Sequence, residues 1–410
     1  VGMLAPALLL FARLLQGLSV GGEYGSSATY LTEMAGKNHR GFFSSFQYVT
    51  LISGQLLALC VLIILQRTMS EAQLSEWGWR IPFFIGAVLA IVVFWIRRGL
   101  VETQSSKDAQ EQAKNGGPKS SALALFTKYP KQAFTVIMLT AGGTLAFNTF
   151  TTYLQKYLVN TSGFEKTTAT EITTAAIFVF MLLQPVVGAL SDKIGRKPII
   201  MAGLALATFT YFPVFHSLTN AANPALAKAL ANSPVSVSVD KSECSVQFDP
   251  VGKNKFDKNS CDIAKNFLAK GGVSYAQTDA APGTIASVKI GETVIAAPNA
   301  KDPALTGDAK KAAIEKFQKD VKAGLKAAGY PDKADPASTN GPLVIAILAY
   351  LVILVTMVYG PIAALLVELF PTRIRYTSMS LPYHIGNGWF GGFLPTIAFA
   401  MVASDRKSVV

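Results

Sequence analysis

An arginine inside an apolar run is the first residue of this sequence that asks for a chemical explanation. Arg13 lies in "LLLFARLLQGLSVGGEYG" (8–25), and Gln16 and Glu23 follow it in the same run. A cation at the centre of a membrane-spanning helix costs roughly 2.5–3.5 kcal/mol, so it rarely faces lipid. We expect Arg13 to line a cavity and to bind a carboxylate or steer a proton; a structural arginine on helix-end carbonyls is the alternative. Glu23 is either a proton site or the partner of a basic group.

Further polar side chains in apolar runs are candidates for the same substrate or proton pathway. They are Gln16, Gln47, Tyr48, Asn148, Lys156, Gln184, His384 and Asn387. Each is equally well explained as an interhelical hydrogen bond, and Lys156 as a lysine that reaches the membrane interface. An imidazole can titrate near neutral pH, which keeps His384 as a proton-relay candidate. Gly17, Gly21 and Gly25 are spaced by four residues and predict a helix-packing face.

A charged connection between two apolar runs carries the most specific pattern, "GALSDKIGRKP" (188–198). Gly188 lets two helices approach closely, and Gly195 permits a tight reversal. Asp192 can cap the next helix or pair with Arg196. A second charged segment, "VELFPTRIRYTS" (367–378), predicts that Glu368 joins Arg373 or Arg375. The predicted cytoplasmic gate comprises Gly188, Asp192, Lys193, Gly195, Arg196, Lys197, Glu368, Arg373 and Arg375.

The composition indicates that much of this chain lies in a lipid bilayer. Of its 410 residues, 50% are hydrophobic and only 15% are charged, with a mean hydropathy of +0.36. Soluble domains usually carry about 25% charged residues. The apolar residues fall in runs of about 20, the length that crosses a bilayer. The net charge of +12 does not indicate a nucleic-acid partner, because the basic residues flank the apolar runs.

The sequence predicts about eight membrane spans and one polar insert. The spans are 2–34, 42–66, 81–98, 133–155, 171–191, 198–218, 342–367 and 376–403. Basic residues cluster on alternate connections, which we place in the cytoplasm. The polar segment 101–132 is then a cytoplasmic linker. The insert, 219–341, falls on the opposite side of the membrane.

The insert has the pattern of a small soluble α+β domain. Residues 284–298 alternate around Gly291 and predict a β-hairpin, and 308–330 predict a helix with one buried stripe. Cys244 and Cys261 are disulfide candidates, since the far side of a bacterial inner membrane is oxidising. A metal site is the weaker interpretation, because the insert contains no histidine.

The loop at 188–198 resembles the pattern G-x-x-x-D-[RK]-x-G-[RK]-[RK] of the major facilitator superfamily. "RLLQG" (13–17) is similar to the motif of its fourth helix, and 367–378 resembles its loop between helices ten and eleven. The resemblance implies an all-α polytopic fold, truncated to the equivalent of helices 4–11 of twelve. Residues 404–410 look like a non-native tail.

This correspondence with helices 4–11 implies a division of the chain into domains. Residues 1–100 are the last three helices of the N-terminal transporter half, 133–218 the first three of the C-terminal half, and 342–403 two further helices of that half. The linker 101–132 joins the halves, and the insert 219–341 interrupts the second.

Within the superfamily, "FARLLQGLSVGGEYGSSATYLTEMA" and "EWGWRIPFFIGAVLA" are similar to the metabolite–proton symporters, and in particular to those that carry α-ketoglutarate. The resemblance implies proton symport of a small organic acid by alternating access in a bacterial inner membrane. It also implies a monomer that needs no cofactor, with an organic anion, protons and the lipid bilayer as its partners. Proline, betaine, citrate and shikimate are alternative substrates. A receptor or sensor that uses the insert without transport is an alternative of another class.

An enzyme is not expected. The sequence contains no G-x-x-x-x-G-K-[ST], HExxH or CxxC, so neither ATP-driven transport by this chain nor the commonest metal and redox enzymes have a supporting motif.

Overall fold

The computed structural model describes residues 4–36, 38–99, 107, 111, 122–247, 254–299, 301–303 and 305–404. Most of the predicted linker and residues 405–410 of the predicted tail therefore lie outside the described residues, as does the side chain of Arg373.

Fifteen α-helices are found in the described part of the chain. They are α1 (Leu4–Met34), α2 (Arg40–Thr68), α3 (Glu71–Glu76), α4 (Ile81–Arg97), α5 (Ala122–Lys128), α6 (Pro130–Asn148), α7 (Leu154–Asn160), α8 (Lys166–Ile194), α9 (Arg196–Ala222), α10 (Pro224–Asn232), α11 (Ser260–Lys270), α12 (Gly307–Ala327), α13 (Gly341–Glu368), α14 (Arg375–Ile385) and α15 (Leu394–Ser404). Two π-helical turns, Thr149–Tyr153 and Gly386–Gly391, follow α6 and α14.

Six helical segments are long and apolar enough to cross a membrane. They are Arg40–Leu65, Gly78–Arg97, Pro130–Val159, Lys166–Ile194, Arg196–Ala222 and Gly341–Glu368 within the described residues. Each corresponds to one predicted span, with ends that differ by a few residues. On α4 the side chains of Phe84 and Trp95 are 68% and 76% exposed, as expected for a helix that lipid surrounds.

The first and last predicted spans are helical but are not among these six. Helix α1 is 31 residues long, and its polar and small residues, including Arg13 and Glu23, lower its hydropathy. The last span is divided into α14, a π-helical turn and α15, because Pro382 and the glycines that follow interrupt a regular helix. The number of eight spans remains a prediction.

A short helix, α5, lies in the segment predicted to be a flexible linker. The sequence "ALALFTK" supplies good helix formers, and the side chain of Leu125 is fully buried. The burial of Leu125 favours a helix at this position.

A four-stranded sheet lies between α10 and α12 in the chain. Its strands are β1 (Val235–Val239), β2 (Tyr275–Asp279), β3 (Ser287–Ile290) and β4 (Thr293–Ala296), in the order β2-β1-β3-β4. Strand β1 pairs parallel with β2 and antiparallel with β3. Its valines are buried and its serines half-buried, which is the alternation expected of a strand with one face in a core.

Helices α11 and α12 close the core of this sheet. Leu268 of α11 and Phe317 and Val321 of α12 pack into one cluster with Val237 and Val288. Helix α12 therefore buries the stripe that its sequence predicts. The β3–β4 hairpin is also confirmed, and Gly291 at its turn has a φ of 57°, a conformation that favours glycine.

The chain divides into two compact units. The first consists of 1–144, 174–205 and 352–389, and the second of 145–173, 206–351 and 390–410. The first unit takes residues from both predicted transporter halves and contains the charged connection at 188–198. The second contains the sheet.

Candidate functional site

The charged connection of the first unit is a tight turn between two long helices. Helix α8 ends at Ile194 and α9 begins at Arg196, so Gly195 alone separates them. Gly195 has a φ of 94°, a left-handed conformation that costs glycine little. Across this turn Arg196 donates from an NH2 group to Asp192 Oδ1 at 2.9 Å. This is one of the two arrangements that the sequence suggested for Asp192.

Asp192 also caps a helix, although not the next one in the chain. Its Oδ1 accepts a hydrogen bond from the Gly41 amide at 2.7 Å, and its Oδ2 accepts one from the Phe42 amide at 2.9 Å. Both amides are in the first turn of α2, where backbone N–H groups lack partners within the helix and a negative charge is stabilising. The capping expected for α9 is therefore found at α2.

Close contact between α2 and α8 explains why Asp192 reaches α2. A Cβ added at Gly188 would lie 2.5 Å from the Gly41 carbonyl oxygen and 2.9 Å from Ser45 Cβ. Only a glycine at 188 leaves room for the α2 backbone. One turn further along α8, the carboxylate then falls beside the first amides of α2.

Glu368, at the end of α13, extends the ion pairs around Asp192. Its Oε1 accepts from Arg196 at 3.1 Å and lies 3.9 Å from an NH1 group of Arg40. We call Asp192, Arg196, Glu368 and Arg40 the charged cluster. It joins the α2 N-terminus, the α8–α9 turn and the α13 C-terminus through alternating charges.

Of the two partners predicted for Glu368, Arg375 forms no ion pair with it in the described part of the chain, and the side chain of Arg373 lies outside that part. Arg375 pairs instead with Glu33 on α1, at 2.7 Å, and donates from Nε to the Phe370 carbonyl oxygen. Glu33 was not singled out from the sequence. It is one of several acidic residues near a span end, and no spacing relates it to a residue 342 positions away.

Lys193 and Lys197 of the predicted gate are exposed. They carry positive charge around the cluster without forming an ion pair within the described residues.

A group of buried tyrosines lies on α1, α2, α13 and α14, and two of these helices, α2 and α13, also carry the charged cluster. The Tyr24 and Tyr48 hydroxyls are 2.6 Å apart, and the Tyr48 and Tyr383 hydroxyls 3.3 Å apart. The Tyr24 and Tyr383 rings are stacked with centroids 3.7 Å apart, and Tyr359 meets Tyr48 edge-on. These four residues form the tyrosine group.

Sequence reasoning identified only one member of this group, Tyr48. A tyrosine in an apolar run is most simply an interfacial or packing residue, so Tyr24, Tyr359 and Tyr383 gave no separate signal. Tyr48 follows Arg40 by eight residues on α2, which places the tyrosine group about 12 Å along the helix from the charged cluster.

His384 and Gln184 add further polar atoms to the first unit. His384 Nε2 lies 3.1 Å from the Gly21 carbonyl oxygen, which accepts its hydrogen bond, and the imidazole meets Tyr383 edge-on. Gln184 is fully buried, and among the described residues neither its amide oxygen nor its amide nitrogen has a hydrogen-bond partner. A buried amide without partners is costly, so a site that later receives a ligand is one explanation for it.

Gln47 and Asn387 are the two remaining polar candidates of the first unit. Gln47 is buried, with 6% of its surface exposed. Asn387 lies half-buried in the π-helical turn after α14, and its Oδ1 has no hydrogen-bond partner in the part of the chain that the structure describes. Such turns occur often at functional sites.

Arg13 does not contact the tyrosine group. It is exposed, and it donates to Gln16 Oε1 at 2.8 Å within the same helix. Glu23 pairs with Arg97, with about half of each side chain exposed, which is the second of the two interpretations given for Glu23. The cavity role of Arg13 stays a prediction.

The predicted glycine face has one close contact. A Cβ added at Gly25 would lie 3.2 Å from the Tyr376 carbonyl oxygen and would collide with Ser380. At Gly17 and Gly21, no atom of the described chain lies within 4 Å of such a Cβ.

The remaining predicted residues belong to the second unit. Asn148 is half-buried immediately before the first π-helical turn, and Lys156 is exposed on α7. Cys244 and Cys261 form a disulfide with 5.3 Å between their Cα atoms. No group of three or more His, Cys, Asp or Glu in the described ranges is arranged to hold a metal ion.

Comparison with known proteins identifies the class to which this arrangement belongs. Residues 1–231 match the model of the Major Facilitator Superfamily, and the chain belongs to this family. With its six apolar helices, it is a multi-pass membrane protein of a family of transporters, not of enzymes.

Three individual transporters of this family are similar to the chain over about half of its length. Over 225 residues the chain is 53% identical to the alpha-ketoglutarate permease of Escherichia coli, which covers 55% of this chain and 50% of that protein. It is 34% identical to the citrate-proton symporter of Salmonella typhi over 54% of this chain and 50% of that protein. It is 32% identical to the proline/betaine transporter of Escherichia coli over 52% of this chain and 44% of that protein. The chain thus spans about half the length of these relatives. No solved structure matches it significantly.

Proposed function

We propose that this protein carries out proton-coupled symport of a small organic acid, α-ketoglutarate or a similar dicarboxylate, across a bacterial inner membrane. The observation that carries the proposal is the bridging of the α2 N-terminus, the α8–α9 turn and the α13 C-terminus by the charged cluster. The substrate class is supported by the 53% identity to a permease for this acid.

Alternating access requires contacts that hold one state and break in another. The charged cluster has this property. Asp192 and Arg196 are only 6% and 15% exposed, so their interaction is poorly screened, yet every contact is between side chains and helix ends that a small tilt would separate. We place the cluster on the cytoplasmic side, where it closes the path while the other side is open.

The tyrosine group and Gln184 are the proposed walls of the path in the first unit. Gln184 and Gly188 are four residues apart on α8 and share a face, and Gly188 contacts α2. The Gln184 amide therefore faces α2 at a point about two turns from Asp192 of the cluster. Its N–H groups can donate to a substrate carboxylate. The tyrosine hydroxyls and His384 can hold or pass a proton.

Arg13 keeps a role in this proposal as a cation that can pair with a dicarboxylate through two parallel hydrogen bonds. We propose the same of Lys156 as a residue that gathers anions. The acting unit is a monomer, and no bound cofactor is required because the proton gradient drives uptake.

A second substrate class is supported by one comparison. The 32% identity to a proline/betaine transporter keeps zwitterionic solutes as a candidate, since a carboxylate is common to both classes.

Uptake into vesicles that contain the protein tests the proposal. Labelled α-ketoglutarate should accumulate when an inward proton gradient is imposed and should stop accumulating when a protonophore is added. Excess unlabelled citrate and proline, added separately, measure selectivity. Accumulation of proline but not of α-ketoglutarate would replace the first substrate with the second. Binding of α-ketoglutarate without any proton-dependent accumulation would reject transport.

A further inference from the structure

A loop of the second unit is fastened to the segment that follows α12. The Ala334 amide donates to the Gly163 carbonyl oxygen at 2.8 Å, and Lys333 pairs with Glu165 at 3.2 Å. Gly163 has a φ of 77°, and a Cβ at this position would lie 2.8 Å from the Ala334 nitrogen. The connection between α7 and α8 thus packs tightly against the segment 330–334 that follows α12.

We call this contact between 161–165 and 330–334 the seam. A cavity of about 290 Å³ lies along it. Thr161 and Gly163 line it from the α7–α8 connection, and Asn223 lines it from the start of α10. The end of α11 and the last turns of α12 provide the other walls. This volume is at the lower end of the range for small-molecule sites.

The charge on the cavity wall is predominantly positive. Lys322 and Lys326 line it from one face of α12, four residues apart, and Asp332 is the one carboxylate among the lining residues. Neither ammonium group forms an ion pair within the described residues. Two lysines at this spacing have Cβ atoms about 6 Å apart, which suits the two carboxylates of a short dicarboxylate.

Hydroxyl groups complete the lining. Ser274, before β2, and Tyr330 both line the cavity. Burial raises the pKa of Tyr330 to about 12. The Tyr330 hydroxyl donates to the Ser233 carbonyl oxygen at 2.8 Å, which fixes the ring at the edge of the cavity.

We propose that this cavity, which we call the lysine cavity, is a second binding site for small dicarboxylates, separate from the membrane path. The site rests on the lysines and the seam. Only the choice of α-ketoglutarate as probe rests on the proposed function. Because walls of the cavity come from both sides of the seam, a bound dianion contacts the α7–α8 connection and α12 together and stabilises their docking.

Hydrogen exchange of the protein in nanodiscs of zwitterionic lipid tests the proposal locally. Millimolar α-ketoglutarate should protect the backbone at 161–165 and 330–334. Lys322→Ala/Lys326→Ala should raise the concentration for half-maximal protection by about tenfold, because both ammonium groups that face the dianion are lost. Lys316→Ala/Lys319→Ala removes two exposed lysines of the same helix that do not line the cavity, and it should leave the response unchanged. Unchanged exchange of β1 and β3 shows that each variant is folded.

Three results would overturn the site. They are no protection of 161–165 at millimolar α-ketoglutarate, equal protection in the Lys322→Ala/Lys326→Ala variant, and equal protection by inorganic phosphate, which would make the cavity a general anion site. Nanodiscs with anionic lipid provide a further arm: protection without any added acid would assign the cavity to a lipid headgroup. Uptake is measured separately, so a failure of transport with retained protection rejects the proposed function and leaves the lysine cavity in place.

Discussion

Glu33 and Arg375 form a nearly buried ion pair, with 2.7 Å between the carboxylate Oε1 and an NH1 group and only 5% and 17% of the two side chains exposed. The pair joins the end of α1 to the beginning of α14. Neither residue belongs to the charged cluster, and the pair joins helix ends other than those that the cluster joins.

Exchanging these two charges tests whether the pair stabilises the first unit. Glu33→Gln should lower the melting temperature by several degrees, because removing one partner of a buried pair costs about 3–5 kcal/mol. Glu33→Arg/Arg375→Glu should recover only part of the loss, because Arg375 Nε also donates to the Phe370 carbonyl oxygen. Melting of the detergent-solubilised protein measures both effects. A Glu33→Gln variant as stable as the parent would show that the pair contributes nothing.

Asp192→Asn should impair transport far more than it impairs folding. The variant keeps the shape of the side chain but loses the negative charge that Arg196 and the two α2 amides share. We expect the initial uptake rate to fall at least about tenfold, as for the loss of about 1.4 kcal/mol or more from one state of the gate. Lys166→Gln, which removes an exposed lysine outside the predicted gate, is the control and should leave the uptake rate unchanged.

The same variant should open the charged end of α2. Ser44 is fully buried in this structure, so a cysteine at this position should react slowly with a thiol reagent in the parent and faster in Asp192→Asn. An equal reaction rate in both backgrounds would contradict a latch at Asp192. Cys60 is exposed and must first be replaced by serine.

Gln184→Leu tests whether the Gln184 amide binds substrate or only stabilises the fold. Since neither amide atom of Gln184 has a partner, its removal breaks no hydrogen bond, and the melting temperature should stay the same or rise. The KM for α-ketoglutarate uptake should increase about tenfold if the amide meets the substrate. Gln155→Leu is the control. It loses a hydrogen bond to Thr170 and should lower stability without changing KM. An unchanged KM in Gln184→Leu would remove this residue from the proposed path.

The sheet-containing region should loosen in acid through Asp240. Its carboxylate accepts hydrogen bonds from the Ser242 hydroxyl, the Gly283 amide and the Ser242 amide, which lower the pKa of Asp240 below its usual value. The resulting stability is present above the unfolded pKa of about 3.9 and is lost as the pH falls through the lower folded value.

The protection factor of the Gly283 amide, measured by hydrogen exchange, should therefore be constant near neutral pH and decrease below about pH 4. In Asp240→Ala it should be low at every pH. Asp279 also has a lowered pKa, caused by Gln277 and Lys241, but it does not bond to Gly283. Asp279→Ala should thus leave the Gly283 profile unchanged, and a loss of protection there would point to general unfolding.

Thiol labelling of intact cells tests the predicted side of the insert. The side chain of Lys311 is 75% exposed, so a Lys311→Cys variant in a Cys60→Ser background should react with a membrane-impermeant maleimide from outside. Lys193→Cys, at the α8–α9 turn, should react only after the membrane is permeabilised. The reverse pattern would invert the proposed topology.

Local features of this protein were predictable from its sequence. The apolar runs that contain α2, α6, α8, α9 and α13 are visible because membrane insertion depends on a continuous length of hydrophobic residues. The hairpin at Gly291 and the buried stripe of α12 depend on residues only a few positions apart. The turn at 188–198 could be located for the same reason.

Tertiary structure decided which of the polar residues meet. Asp192 caps the amide of Gly41, 151 residues earlier in the chain, and Arg375 finds Glu33 instead of Glu368. Tyr24 and Tyr383 stack although no sequence spacing connects them. Helical periodicity fixes the face on which a side chain lies, but the partner of that face depends on how separate helices pack. In this protein that packing is set by close contacts such as the one between Gly188 and Gly41, which no local pattern records.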